Sequence, residues 1–470
     1  MDSLLKKHST FNIQHSILKL SPWEIPWTFG VECWALNISR LCILAFLLIA
    51  AATTRIFAAD DTNAPVLPLG DARAVALKNH PEIASANYLA LAAREAVQEA
   101  RSGYFPTVNA FVTAVGANDE GTRVLAGSLN NPSIYDRAAG GLQVNQLITD
   151  FGRTANLTAS SRFQAKAEDE KLELTREQVL LRVDTAYYEA LAGQAVLDVA
   201  RQTINTRQLL FEQVNALATN KLRSELDVSF AQVQLQQARL LLEKSQNDAD
   251  AAMASLSTAL GYREYHEFRL IDMPSASVSH TNDVSDLVQT ALSRRPELLS
   301  LRDRRDAATR FARAQRDSRL PNIQAVGVAG DAPEHDPHLA QDYAAAGLQL
   351  SVPLFAGGLY TARQHEAEFR AQSDTELLRS LENNIIRDVR IAWLNSNSAS
   401  QQLQTTQDLL QNAAQAFQLA QARYQAGISS IVELSEAQLN LTSAQIANTD
   451  ARYAFFISRA NLDFEAGSLR

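Results

Sequence analysis

Apolar and neutral polar residues alternate along Ala138 to Thr149. Leu142, Val144 and Ile148 fall on one side, with Gln143 and Asn145 on the other. The segment Tyr343 to Phe355 repeats the pattern, with Leu348, Leu350, Val352 and Leu354 set against Gln349 and Ser351. A period of two marks a strand whose faces meet different surroundings. Beside otherwise helical sequence, it fits a membrane barrel with lipid outside and water inside. The six residues Leu142, Val144, Ile148, Leu348, Leu350 and Val352 are therefore expected to face lipid. Two further extended segments, Tyr104 to Val115 and Leu320 to Ala329, precede these strands and alternate less clearly.

Elsewhere the period changes. Val183, Ala186, Ala190, Gly193, Leu197, Ala200 and Ile204 step by three and four, as do Val389, Ala392, Ser396, Ala399 and Leu403. This is heptad spacing with small residues at many seam positions. Small knobs allow close helix approach and suit a wall of helices better than a thick core. A helix from Thr154 to Ala218 would be about 100 Å long at 1.5 Å per residue. Breaks at Thr219-Asn220-Lys221 and Ala426-Gly427 predict return helices over Glu225 to Ala259 and Ile431 to Phe464. Shorter helices are expected over Asp71 to Ser102 and Asp286 to Ser318.

Self-comparison shows why the patterns come in pairs. Ala76-Leu77-Lys78-Asn79-His80-Pro81-Glu82 aligns with Ala291-Leu292-Ser293-Arg294-Arg295-Pro296-Glu297, an offset of 215. From Gly141 against Gly347 onward the offset is 206, and it holds for Val183 with Val389, Tyr187 with Trp393, Asp227 with Glu433, and Gly261 with Gly467. The first copy therefore carries nine extra residues between Pro106 and Gly141, which marks an exposed loop. The chain divides into a leader over 1–59, a first repeat over 60–282 and a second over 283–470. Each repeat is a long helical hairpin hung from a pair of strands.

Composition agrees and excludes alternatives. The chain has only 18 glycines and 13 prolines in 470 residues, about half of average usage. That is too little punctuation for a β-sandwich or a Rossmann-type enzyme. The net charge of −9 argues against a nucleic-acid partner. Cys33 and Cys42 both precede residue 43, which excludes a disulfide scaffold, zinc ribbon or cysteine nucleophile in the rest of the chain. Leu41 to Ala52 is an apolar run behind Arg40, with Ala58-Ala59 before Asp60-Asp61. It is shorter than the about 20 residues of a spanning helix and reads as a secretory signal.

Four strands cannot close a barrel, and open backbone edges in lipid cost several kcal/mol per group. Membrane barrels start at eight strands. Eight strands are filled by their own side chains, whereas twelve leave a lumen. Three chains are thus the consistent choice: mainly α, with a trimeric twelve-stranded β-barrel continuous with an α-helical barrel.

At this point the sequence resembles the TolC-like outer-membrane efflux proteins. The residues that carry the resemblance are His80-Pro81-Glu82 with Arg295-Pro296-Glu297, and Tyr104-Phe105-Pro106 with Leu320-Pro321. Asp150-Phe151-Gly152 with Phe355-Ala356-Gly357-Gly358, and Ala422-Arg423-Tyr424-Gln425-Ala426-Gly427 followed by Ile431-Val432-Glu433-Leu434, complete the set. The resemblance implies a homotrimer in outer-membrane lipid that docks to a periplasmic adaptor protein and an inner-membrane transporter. It implies a gated exit duct for drugs, metals or a secreted protein, with no enzymatic chemistry and no cofactor. It also implies a periplasmic aperture at Asp227, Tyr424, Glu433 and Glu436. Glu433 and Glu436 are three apart and share a helix face, so three chains would ring the opening with six carboxylates. Such rings favour cations. Ser429 stands where some family members have an arginine that pairs with the aspartate. An Asp227–Tyr424 hydrogen bond would survive that change, with Arg223 or Arg423 as replacement cations.

The rival reading is a periplasmic coiled-coil adaptor, which should have one helical hairpin on Gly-rich β-domains; this chain has two hairpins. His335-Asp336-Pro337-His338 could be read as metal ligands, but its setting between strands, rich in Pro and Asp, reads as a solvated loop. Tyr187-Tyr188 and Trp393 read as packing residues.

Overall fold

The computed structural model describes residues 65–116, 122–123, 133–134, 137–272, 283–335 and 340–469. The leader, most of the loop carrying the nine extra residues, and Asp336 to His338 lie outside the described residues. In the first half, β1 (Val66–Leu67), α1 (Leu69–Asn79) and α2 (Pro81–Ser102) lead to β2 (Thr107–Val115). A short pair, β3 (Thr122–Arg123) with β4 (Ser133–Ile134), lies between β2 and β5 (Arg137–Thr149). The helices α3 (Arg153–Thr219) and α4 (Glu225–Ala259) and the strand β6 (Arg269–Leu270) follow. The second half runs α5 (Val284–Arg294), α6 (Pro296–Asp317), β7 (Asn322–Glu334), β8 (Asp342–Ser351), α7 (Leu359–Gln425) and α8 (Ile431–Glu465). The matching helices have equal lengths: α1 and α5 have 11 residues, α2 and α6 22, α3 and α7 67, and α4 and α8 35.

One expectation is corrected. The segments Asp71 to Ser102 and Asp286 to Ser318 are each two helices, split at His80 and Arg295. Both residues precede a proline, and both are extended, with ψ of 125° and 121°. Proline disfavours the helical region for its predecessor yet is well placed at the first helical position, where its missing N–H costs nothing. A second correction concerns strand ends. β7 runs on to Glu334, whereas β8 stops at Ser351, so Val352 lies just past it.

Four of the strands form an antiparallel sheet in the order β2-β5-β7-β8, and β1 pairs in parallel with β6. The two halves meet at β5–β7, where Val144 opposes Gly327 and Leu142 opposes Ala329. Among the described residues, the outer strands β2 and β8 each have one unpaired edge.

Backbone conformation carries the duplication further than side chains do. Among the described residues, the positive-φ positions fall in pairs 206 apart: Phe151 with Gly357, Gly152 with Gly358, Lys221 with Gly427, and Gly261 with Gly467. The last two pairs end helices in the same way. Gly427 N–H donates to Tyr424 C=O and Ile428 N–H to Arg423 C=O, both at 3.0 Å; Lys221 and Leu222 repeat this on Ala218 and Leu217 at 2.8 and 2.9 Å. These are Schellman closures, which require a left-handed residue just past the helix.

The helices pack mainly through small residues. Val183, Ala186, Ala190, Leu197 and Ala200 are buried along α3. A Cβ on Gly193 would lie 3.1 Å from Cα of Ala249 on α4, so the glycine sets how closely the two helices approach. Buried polar groups fasten the short helices to the long ones. Asp184 is fully buried and accepts from Nε of Arg73 on α1 at 2.7 Å, with a second hydrogen bond from the other end of the same guanidinium. Arg295 reaches Glu465 at the end of α8 at 2.6 Å. The buried hydroxyl of Tyr187 lies 2.9 Å from both Leu67 C=O and Ile271 C=O, its single proton shared between them, and accepts from Ile271 N–H at 3.2 Å, clasping the chain around β1 and β6 against α3. Tyr187 thus packs as its sequence context suggests, with a hydrogen-bonding duty added.

Candidate functional site: one apolar sheet face and a helical tip

Cross-strand register decides which side chains share a face of the sheet, because directly opposed residues point the same way. Val108 and Ala110 oppose Val144 and Leu142. Across the next ladder lie Gly327 and Ala329, and beyond them Ala346 and Ala344. Leu348 opposes Ala325, and Leu350 opposes Ile323. Over these registers the face is aliphatic apart from Gln146, which opposes Ala325. The first strand, whose own alternation is weak, joins it through Val108, Ala110 and Val112. Leu142, Ile148, Leu348 and Leu350 are all more than half exposed, and Val144 and Val352 somewhat less. The opposite face carries Thr107, Asn109, Thr113, Gln143, Asn145, Gln324 and Gln349, and Gln143 donates to Asn145 Oδ1 at 3.1 Å. Such a sheet is stable with apolar solvent on one side and water on the other. Among the described residues, no helix is long and apolar enough to cross a membrane.

At the end of the sheet where helices begin, the strand becomes a helix within a few residues. Asp150 accepts from the N–H of Gly152 at 3.2 Å and of Thr154 at 2.7 Å, and from the Thr154 hydroxyl at 2.6 Å. Phe151 and Gly152 supply the left-handed turn. Asp150-Phe151-Gly152 is thus a strand-to-helix corner, with Gly357 and Gly358 making the same corner in the second half.

The far ends of the long helices form the tip. Asp227 belongs to a capping box: its N–H donates to Ser224 Oγ at 3.2 Å, and its carboxylate accepts from Ser224 N–H at 3.3 Å. Glu433 occupies the equivalent position, its N–H donating to Ser430 Oγ at 3.3 Å. There the side chain turns elsewhere and meets Arg423 Nε at 3.1 Å. Glu436 is exposed one turn further on. Tyr424 packs its ring with Val214, Ala231, Ala420, Ile431 and Leu434, and the Arg223 guanidinium lies 4.8 Å from the ring centroid. Burial pushes the Tyr424 hydroxyl above its usual range; Arg223 opposes that shift and Asp227 adds to it.

The expected Asp227–Tyr424 hydrogen bond is not formed. The carboxylate of Asp227 is taken by its own helix cap, and the Tyr424 hydroxyl is buried without a partner. Neither Arg223 nor Arg423 pairs with Asp227: one stacks on Tyr424 and the other meets Glu433.

Sequence reading missed a residue here. Arg207 on α3 is buried, donating from Nη2 to the carbonyl of Ser435 at 3.2 Å, while Nη1 has no partner. Burial lowers its pKa to about 10. The heptad seam shifts at Ala200 and continues through Thr203, Arg207 and Val214, all buried, rather than through the half-buried Ile204. An arginine at seam spacing was the available signal.

The outer membrane efflux protein family matches residues 73–262 and 287–468, most of the chain and both halves of it. The chain belongs to that family. This outer membrane efflux protein is 23% identical over 398 residues to the outer membrane protein TolC of Escherichia coli, covering 80% of this chain and 78% of that one. It is 25% identical over 431 residues to the alkaline protease secretion protein AprF of Pseudomonas aeruginosa, covering 87% and 86%. In fold it matches the Campylobacter jejuni CmeC outer membrane channel with a TM-score of 0.73 at 15% identity, over 85% of each chain. The open state of the Neisseria gonorrhoeae MtrE channel gives 0.70 at 17% identity, over 86% and 89%. The efflux protein is an outer-membrane exit duct with its long helices in the periplasm.

Proposed function

We propose that three copies of this chain close a twelve-stranded barrel and a helical tube beneath it, forming the passive outer-membrane segment of a tripartite efflux or type I secretion system. The observation that carries this reading is the four-stranded sheet with one aliphatic face and unpaired edges on β2 and β8. Each edge needs a partner before it can enter lipid, and joining β8 of one chain to β2 of the next supplies one. Residues 1–59 would act as the export leader, with 60–282 and 283–470 as the two repeats. A periplasmic adaptor and an inner-membrane transporter would engage the helical end; the secretion role named for AprF and the channel role named for CmeC support such partners. The aperture would be formed at the tip by Asp227, Tyr424, Glu433 and Glu436.

Membrane fractionation with crosslinking tests the assembly. The expected result is a crosslinked trimer in the outer-membrane fraction. A monomer soluble in the periplasm would overturn it, and would favour the adaptor reading.

A further inference from the structure

The tip contains a cavity of about 750 Å³ between α3, α7 and α8. Leu209, Leu210, Leu217, Phe417 and Leu434 make up its apolar lining, and Arg207, Arg223, Tyr424, Gln438 and neutral Thr and Gln side chains its polar lining. Three of these residues have a buried polar atom without a partner: Arg207 Nη1, Tyr424 Oη and Gln438 Oε1, on residues only 4%, 9% and 6% exposed. No carboxylate lines the cavity.

This combination needs an explanation. An arginine buried without an acidic partner costs several kcal/mol, and a seam position between helices is normally aliphatic. With a pKa of about 10, Arg207 is charged at neutral pH. Its one hydrogen bond, to the Ser435 carbonyl, leaves Nη1 buried without a partner beside the cavity. The Tyr424 hydroxyl adds a second donor and Arg223 a second positive charge. The cavity, at about 750 Å³, has room for a body of several rings, since ligand sites span about 300–1,000 Å³.

We propose that this cavity is a binding site for amphipathic organic anions: drug-sized molecules with one carboxylate or sulfonate on an apolar body. The anionic group sits against Arg207 and Tyr424, and the body lies along Leu209, Leu217 and Phe417. Gln438 takes a hydroxyl or amide donor where the ligand carries one. The occupied site bridges α3 to α7 and α8 beside the tip turns. This goes beyond the exit-duct reading and does not depend on it, because the site lies within one chain.

The test uses the purified full-length protein in nanodiscs, titrated calorimetrically with 1-naphthoate and with its neutral isostere 1-naphthamide. Saturable binding of naphthoate at one site per chain is expected, with naphthamide at least tenfold weaker. Arg207→Met conserves volume, and should weaken naphthoate at least tenfold while leaving naphthamide unchanged; Arg207→Lys should retain part of the affinity. Ala216→Trp fills the exposed rim of the cavity without touching the charge, and should abolish binding of both probes. If Arg207→Met is poorly folded, Ala216→Trp carries the decision. Equal affinity for the two probes, naphthoate binding that persists in either Arg207→Met or Ala216→Trp, or an absence of saturable binding would each overturn the proposal.

Discussion

Lys221 shows how strongly the backbone, rather than the side chain, is repeated in this protein. It sits at φ 58°, in a left-handed closure that the second half makes with Gly427 at φ 74°. A residue with a Cβ is disfavoured there by about 1–2 kcal/mol. Lys221→Gly should therefore stabilise the first hairpin, and Gly427→Ala should destabilise the second, each by about 1 kcal/mol. Thermal unfolding monitored by far-ultraviolet circular dichroism checks both; equal and opposite shifts are expected. The duplication was legible at Gly427, because a glycine ends a breaker-free run. At Thr219-Asn220-Lys221 the break was legible, but nothing in a lysine announces the left-handed conformation that closes the helix. Arg207 was hidden for a different reason. Its burial depends on a seam shift at Ala200, which a fixed heptad phase does not reveal.

At the scale of elements, alternation picked out two strands with one apolar face, and pairing supplied what alternation could not. β2 joins the aliphatic face because Val108 and Ala110 oppose Val144 and Leu142, a fact of register that no single strand encodes. The division predicts opposite tolerances on neighbouring residues. Leu348→Lys places a charge in lipid and should cost about 2–4 kcal/mol near the midplane. Gln349→Lys, on the other face, should be nearly neutral for folding. Heat-modifiability on electrophoresis after insertion into liposomes separates them: Leu348→Lys should lose the folded band and Gln349→Lys should keep it. The splits at His80 and Arg295 teach the complementary lesson. The prolines were visible in the sequence, but an unbroken helical periodicity on either side concealed the change of direction that they impose.

For the assembled molecule, the tip would determine selectivity in the proposed duct, and its acidic residues are not equivalent. Glu433 is in contact with Arg423, whereas Glu436 is exposed and has no ion pair among the described residues. Glu436→Gln should therefore reduce cation preference in planar-bilayer recordings more than Glu433→Gln does. Arg423→Ala, which frees Glu433, should increase it. Equal effects of the two glutamines would show that the Arg423 contact does not matter in the open aperture. Sequence position brought Asp227, Tyr424, Glu433 and Glu436 to one end of the protein. It could not distribute the partners among them, because the choice between a helix cap and a neighbouring hydroxyl depends on a few ångströms of side-chain reach.

The unpaired edges of β2 and β8 bear on how such a channel comes into being. In the proposed assembly a single chain would be a fragment of a container that its own folding does not complete. Insertion would then wait for encounter, and channels would accumulate at a rate that depends on the concentration of exported chains. A copy able to offer β2 but not β8 would join a growing ring and leave it open. In a cell carrying both kinds, the defective chain would spoil more channels than its share of the population.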